Sequence, residues 1–242
     1  MKSNLKVRIT LTSLVAVSTC FAFAATSNAA TITWGTWTGV TDNTAIQVLG
    51  GYTTVEGVNF NGSTTTINNG TVDVSFIGIA LNASGSAAGI TVASSGFSFG
   101  STNSGNSDVV SNVGSPQTWG TVLDRVIGTA TPATISLSGL TAGDDYYVQF
   151  FSSAPDPNIL SDSKITSGGG DSPFFGTHAA GGTKYLIGTF TADATSQAFA
   201  VSGEEPTYSA LVIGVQPVPE PATVALAGLG LLGLAGWARR KA

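Results

Sequence analysis

The sequence predicts an all-β fold, an antiparallel β-sandwich with one short helix, set between two apolar terminal segments. Three observations lead there. Strand-forming residues alternate at period two in segment after segment, loops rich in Gly, Ser and Asn separate them, and no amphipathic crossover helices intervene. Only 10% of the 242 residues are charged, and Thr, Val, Ile and aromatics, which suit a pleated half-buried surface, are plentiful. This length permits one large sandwich or two small domains.

At the start, "MKSNLKVR" supplies Lys2, Lys6 and Arg8, residues 11–25 are apolar, and Ser27-Asn28-Ala29 puts small residues where a signal peptidase inspects the chain. The pattern predicts a signal peptide over residues 1–29, cleaved after Ala29. The sole cysteine, Cys20, lies inside it, so the mature chain is expected to have neither a disulfide nor thiol chemistry. A lipobox is the rival reading of "VSTC"; Thr19 before Cys20 and Phe21 after it argue against lipidation.

The body, residues 30–215, carries the strand patterns in order: "ITWGTW", "TVDVSFIGIAL" from Thr71, "TISLSGL" from Thr134, "YYVQFF" from Tyr146, "KYLIGTF" from Lys184, "QAFAVSG" from Gln197 and "SALVIGV" from Ser209. The one helix is predicted between Ser115 as cap, with Pro116 in its first turn, and Gly128 as its stop. Trp119, Val122, Leu123, Val126 and Ile127 recur there at helical spacing, an apolar face expected to lie across one end of the sandwich. "GLTAGDD", from Gly139, reads as a turn between two strands.

Charge is partitioned. Of nine Lys and Arg, the body keeps Arg125, Lys164 and Lys184, against thirteen of the fourteen acidic residues, an excess of ten negative charges. Such a surface repels phosphate backbones and argues against nucleic-acid partners.

Catalytic signals in the body have plain alternatives. "GFSFG" around Ser98 fits the G-x-S-x-G elbow, and an Asp followed by His178 completes a hydrolase order. That elbow needs a helix straight after the serine, and "STNSGNSD" follows instead; Phe97 and Phe99 alternating in a strand explain the match. His178 is the only histidine, which excludes a zinc site built from several imidazoles and cysteines. The adjacent acids Asp144-Asp145 and Glu204-Glu205 point to opposite faces of a strand, whereas a glycosidase needs two carboxyls facing each other across about 5 to 9 Å. Convergence of acids distant in sequence stays open. No cofactor is expected. Structural calcium at Asp156, Asn158, Asp162 and Asp171 is an alternative, but no EF-hand spacing is present and solvated loop acids are the commoner reading. Exposed aromatics serve as platforms for sugars, and the candidates are Trp34, Trp37, Tyr52, Tyr147 and above all Phe174 and Phe175, with Asp171 close by. Core packing is the default for most of them.

The other end is an apolar stretch, residues 222–238, without a charge. At 1.5 Å per residue its 17 residues form a helix roughly 25 Å long, the short limit for crossing a bilayer. Arg239, Arg240 and Lys241 act as a basic stop held in the cytoplasm, which leaves the body outside. Pro219 and Pro221 flank Glu220 just before this helix and hold the chain extended, the shape a processing enzyme reads.

"VPEPATVALAGLGLLGLAGWARRKA", the heart of a sorting segment over residues 216–242, resembles the PEP-CTERM sorting signal, with Pro219, Glu220 and Pro221 as the tripeptide. The resemblance implies handling by exosortase, a membrane transpeptidase, and production alongside exopolysaccharide and biofilm matrix. An ordinary anchor with proline upstream by chance is the bland alternative. In the body, "ITWG", "VEGVNFNG", "LSGLTAGDDYYVQFF" and "YLIGTFTADATSQAFAVSG" look like a passenger type often joined to this signal, which implies a galactose-binding-like jelly roll. The segment from Ser152 to the glycines before Thr183 departs from it, being long and irregular where a ligand loop belongs.

The resulting expectation is an exported, non-enzymatic protein, passing through the inner membrane with its C-terminus cytoplasmic and then reaching the cell surface or the medium. Its expected role is structural or weakly glycan-binding, with a dedicated lectin-like module and a secreted hydrolase as rivals.

Overall fold

A computed structural model describes residues 29–102, 117–129, 132–153, 162–176, 182–203 and 206–217. The predicted signal peptide through residue 28, the tail from residue 218, the predicted helix cap Ser115 with Pro116, and His178, Asp156, Asn158 and Glu204-Glu205 lie outside them. Among the described residues, no helix is long and apolar enough to cross a membrane.

The described chain is mostly β-strand, as the alternation predicts. One sheet of eight strands runs β1 (Thr33–Trp34), β14 (Thr183–Thr191), β11 (Asp145–Ser153), β17 (Ala210–Gln216), β3 (Thr54–Phe60), β5 (Asp73–Ile79) and β4 (Thr65–Asn68), with β2 (Thr38–Gly39) also on β14. A second sheet runs β13 (Gly170–Asp171), β12 (Lys164–Ser167), β15 (Ser196–Ser202), β10 (Ala133–Ser138), β7 (Ile90–Ser95) and β6 (Ser84–Ala87). A small third sheet joins β16 (Thr207–Tyr208), β9 (Arg125–Gly128) and β8 (Phe99–Thr102).

The two large sheets face each other across a common core. Val148, Phe150, Leu186, Leu211 and Ile213 come from the first and Val92, Ile135, Leu137, Phe199 and Val201 from the second. Phe199 is the hub, its ring 5.1 Å from Phe150, 6.3 Å from Trp34 and 6.5 Å from Phe190.

The antiparallel expectation fails at one pair, because β3 and β5 are parallel, with Val58 opposite Ile77. The cause is local. Beyond Phe60, Asn61 takes a left-handed conformation (φ 55°) and turns the chain away, and the β4–β5 hairpin then docks with its second strand inward. Gly78 admits this crossing, since a Cβ there would lie 2.3 Å from the carbonyl oxygen of Gly62.

"YYVQFF" does not alternate in burial. After Asp145, every residue of β11 is buried, because both faces of the strand are covered. Tyr146, Val148 and Phe150 enter the first core; Tyr147 and Phe151 enter a second, on the outer face of the eight-stranded sheet. That outer core is roofed by α1 (Gln117–Asp124) and by the loop around the short 3-10 turn Asn43–Ala45. Trp119 of α1 sits 5.0 Å from the Phe151 ring and 5.6 Å from Phe76, and its indole N–H donates to the carbonyl of Asp42.

The helix differs from expectation in two ways. It ends at Asp124, and Val126 and Ile127 belong to β9, paired with β8 and β16. The β-branched Val-Ile pair suits a strand, and Ile127 thereby reaches the sandwich core. The helix also covers a sheet face instead of an end of the sandwich. "GLTAGDD" does link two strands, β10 to β11, with Gly143 at φ 94°.

Gln149 is buried on the outer face of β11, where an unpaired amide would be costly. Its Nε2 donates to the carbonyl of Ala45 (2.6 Å) and its Oε1 accepts from the N–H of Gln47 (3.0 Å), while the Tyr147 hydroxyl donates to the Gln47 carbonyl (2.7 Å). The sheet thus grips the loop that roofs it. Gln149→Leu preserves bulk but strands two backbone groups, and it is expected to cost about 1–3 kcal/mol for each group left buried and unpaired. The reading is a lower urea midpoint at unchanged slope; an unchanged midpoint contradicts the grip.

Candidate functional site

The segment after Ser152, expected to be irregular, contains a hairpin. β12 and β13 are joined by Gly168 and Gly169, both with positive φ (58° and 75°), and Ser167 stands opposite Gly170. This two-residue loop is the kind that two glycines favour.

Residues 172–175 then run back along β12. The N–H of Ser172 donates to the Ile165 carbonyl (2.7 Å), the Ser172 hydroxyl accepts from the N–H of Ile165 (2.9 Å), and the N–H of Phe175 donates to the Ser163 carbonyl (2.8 Å). Ser172 and Phe175 turn inward; Pro173 and Phe174 turn outward.

The two phenylalanines named from sequence therefore separate. Phe175 is 2% exposed, 4.8 Å from the Trp37 ring in an edge-on contact, with Lys184 Nζ 4.7 Å from its centroid and donating to its carbonyl. Burial lowers the Lys184 pKa. Trp37 completes the anchor by donating its indole N–H to the carbonyl of Pro173 (3.0 Å). Phe174 is 60% exposed, with Lys164 Nζ 5.7 Å from its ring centroid. Lys164 pairs with Asp171, which also accepts from the Thr166 hydroxyl (2.6 Å). Those two hydrogen bonds, first from Lys164 and then from Thr166, hold the Asp171 carboxyl below its usual range.

Phe174, Asp171, Lys164 and Thr166 thus form one surface: an aromatic face bordered by an ion pair and a hydroxyl. Phe175 supports that surface without being displayed on it. Trp34 and Tyr147 likewise face cores, and Trp37 and Tyr52 are half-buried.

Other sequence candidates are placed as follows. Ser98 leads into strand β8, not a helix, and its N–H donates to the Gly128 carbonyl (3.0 Å), so the elbow geometry is missing. Asp162 is exposed, and among the described residues no three His, Cys, Asp or Glu side chains gather for a metal. Asp145 accepts from the Thr191 hydroxyl (2.5 Å) at one end of an open groove of about 400 Å³, whose other walls include Thr31, Thr33, Thr189 and Tyr52. Burial, and then the charge of Asp145, raise the Tyr52 pKa. Sequence reasoning did not single out this hydroxyl-lined groove. Its signal was the pair of Thr-x-Thr stretches at Thr31 and Thr189, which adjacent strands set side by side with Thr33 opposite Thr189.

A family model for the PEP-CTERM protein-sorting motif matches residues 217–241, which contain Pro219, Glu220, Pro221, Arg239, Arg240 and Lys241. No curated protein and no solved structure matches the chain. The motif marks an exported protein, sorted at the membrane through exosortase.

The Asp171 pairing has a testable sign. A carboxyl whose folded pKa is depressed contributes stability above its unfolded value, near the usual 3.8, and loses it as pH falls through the folded value. Asp171→Asn is therefore expected to lower the urea midpoint at neutral pH, by an amount that shrinks to nothing under acid conditions. A gap that stays constant as the pH falls from neutral through 3.8 and below contradicts the pairing.

Proposed function

We propose that this protein is a non-enzymatic β-sandwich, delivered to the cell envelope or extracellular matrix, with a structural role or a weak affinity for glycans such as exopolysaccharide. Exosortase acts at the Pro219-Glu220-Pro221 peptide while Arg239, Arg240 and Lys241 hold the tail at the cytoplasmic face. The jelly-roll likeness of the body belongs to the same reading and is supported by two facing sheets around one core.

The observation that carries the glycan part is the outward Phe174 ring beside Asp171 and Thr166. An apolar sugar face stacks on such a ring while its hydroxyls bond to the carboxylate and the threonine hydroxyl. One open platform with few polar partners implies a Kd of about millimolar, roughly −4 kcal/mol. The hydroxyl-lined groove beside Asp145 favours a second reading, a dedicated lectin-like module with its site there.

Titration of the exported protein with purified exopolysaccharide fragments separates these. Binding that Phe174→Ala abolishes and Thr189→Val spares is the expected result. The reverse pattern moves the site to the groove and favours the lectin. Hydrolysis of an ester or glycoside that Ser98→Ala or a carboxylate substitution removes contradicts the non-enzymatic reading.

A further inference from the structure

Strand β15 presents Gln197, Phe199 and Val201 to the sandwich interior and Ser196, Ala198 and Ala200 to solvent. Gln197 thus occupies a place that the alternation reserves for an apolar side chain, and it is 2% exposed. A buried primary amide there must find an acceptor's and a donor's complement or destabilise the fold.

It finds them at residue 30. Gln197 Oε1 accepts from the N–H of Ala30 (2.9 Å), and Nε2 donates both to the Ala30 carbonyl (3.0 Å) and to the Ser167 hydroxyl oxygen (2.6 Å). The Ser167 hydroxyl in turn donates to the Ala198 carbonyl (2.5 Å). Only this orientation of the amide satisfies both sides of the Ala30 unit. The opposite wall is Gly168, at φ 58°: a Cβ there would lie 1.9 Å from the Ala30 oxygen and 2.8 Å from the Ala29 oxygen. The Ala30 methyl is itself in the core. Both faces of the Gln197 amide and the near wall at Gly168 meet the Ala30 unit, the first residue after the predicted leader.

We propose that Gln197, Ser167 and Gly168 form a receptor for the N-terminus that leader removal creates at Ala30. The inference rests on the reading of this chain as an exported protein whose leader ends at Ala29. Cleavage turns the Ala30 nitrogen from an amide into an ammonium, and a hydrogen bond from an ionised donor is stronger than the one it replaces. The docked residue leads into β1 on the other sheet, so one N-terminal segment ties the β15 side of the sandwich to β14. A start at Thr31 removes the bonded unit and leaves Gln197 Oε1 without its donor, with Nε2 on Ser167 alone.

The test uses the full-length gene expressed with its leader, and the processed protein recovered after export. Mass spectrometry of the N-terminal peptide is expected to give Ala30 as first residue. At neutral pH an N-hydroxysuccinimide ester favours the α-amine over lysines, whose pKa is higher. Labelling of the folded α-amine is expected to be at least about tenfold slower than in urea, by the protection a bonded amine gains. Gln197→Leu is expected to remove that protection. Gly168→Ala, whose Cβ would lie 1.9 Å from the Ala30 oxygen, crowds the slot from its other wall and is expected to weaken the protection too, which covers the case in which the leucine variant does not fold. An Ala30 start labelled as fast in the folded as in the unfolded protein overturns the receptor while sparing the leader. A different start, or a retained leader, overturns both.

Discussion

Burial of β11 on both faces is the constraint on which the rest of this structure depends. A strand with Tyr146, Val148 and Phe150 on one side and Tyr147, Gln149 and Phe151 on the other requires a cover on each. The six-stranded sheet supplies the first, and α1 with the loop around residues 43–47 supplies the second. Each large side chain so enclosed contributes roughly 1.5–3 kcal/mol relative to exposure, which is why neither cover is dispensable. β17 beside it shares the arrangement, with Leu211 and Ile213 inward and Ala210 and Val212 outward.

Two buried glutamines fasten the covering segments. Gln149 reaches outward to Ala45 and Gln47, and Gln197 reaches across to Ala30. In each case a primary amide, with both a donor and an acceptor, matches a backbone unit that no neighbouring strand pairs. The core gives up an apolar position and gains a fixed register for a segment remote in sequence. The same economy of partners explains the display of Phe174, since Trp37 and Lys184 hold Phe175 inward and Trp37 fixes the backbone carbonyl of Pro173.

Much of the fold was legible in the sequence. The period-two segments from Thr71, Thr134, Lys184, Gln197 and Ser209 all contain strands, and "YYVQFF", apolar at both parities, already carried the mark of a strand without a solvent face. What was not legible depends on long-range pairing. Val126 and Ile127 continue the helical spacing of Trp119, and only the presence of β8 and β16 on either side makes them a strand. The β12–β13 hairpin was announced by the consecutive glycines after "KITS" and was masked by the length of the polar segment around it. The candidate site was half legible: composition pointed to Phe174, Phe175 and Asp171, but which phenylalanine faces out is decided by Trp37, far away in the chain. The sorting motif, by contrast, was fully legible, because its tripeptide, apolar run and basic end are contiguous and need no fold to be read.

The PEP-CTERM motif marks an exported protein sorted at the membrane through exosortase, and in the proposed function the tail is read there and then removed. The mass of the mature C-terminus, taken from protein recovered from the native cell surface or medium, tests this most directly. The account predicts a chain ending in the region of Pro219, Glu220 and Pro221, with or without an added group. A chain intact through Ala242 contradicts it, and makes the apolar segment a permanent anchor.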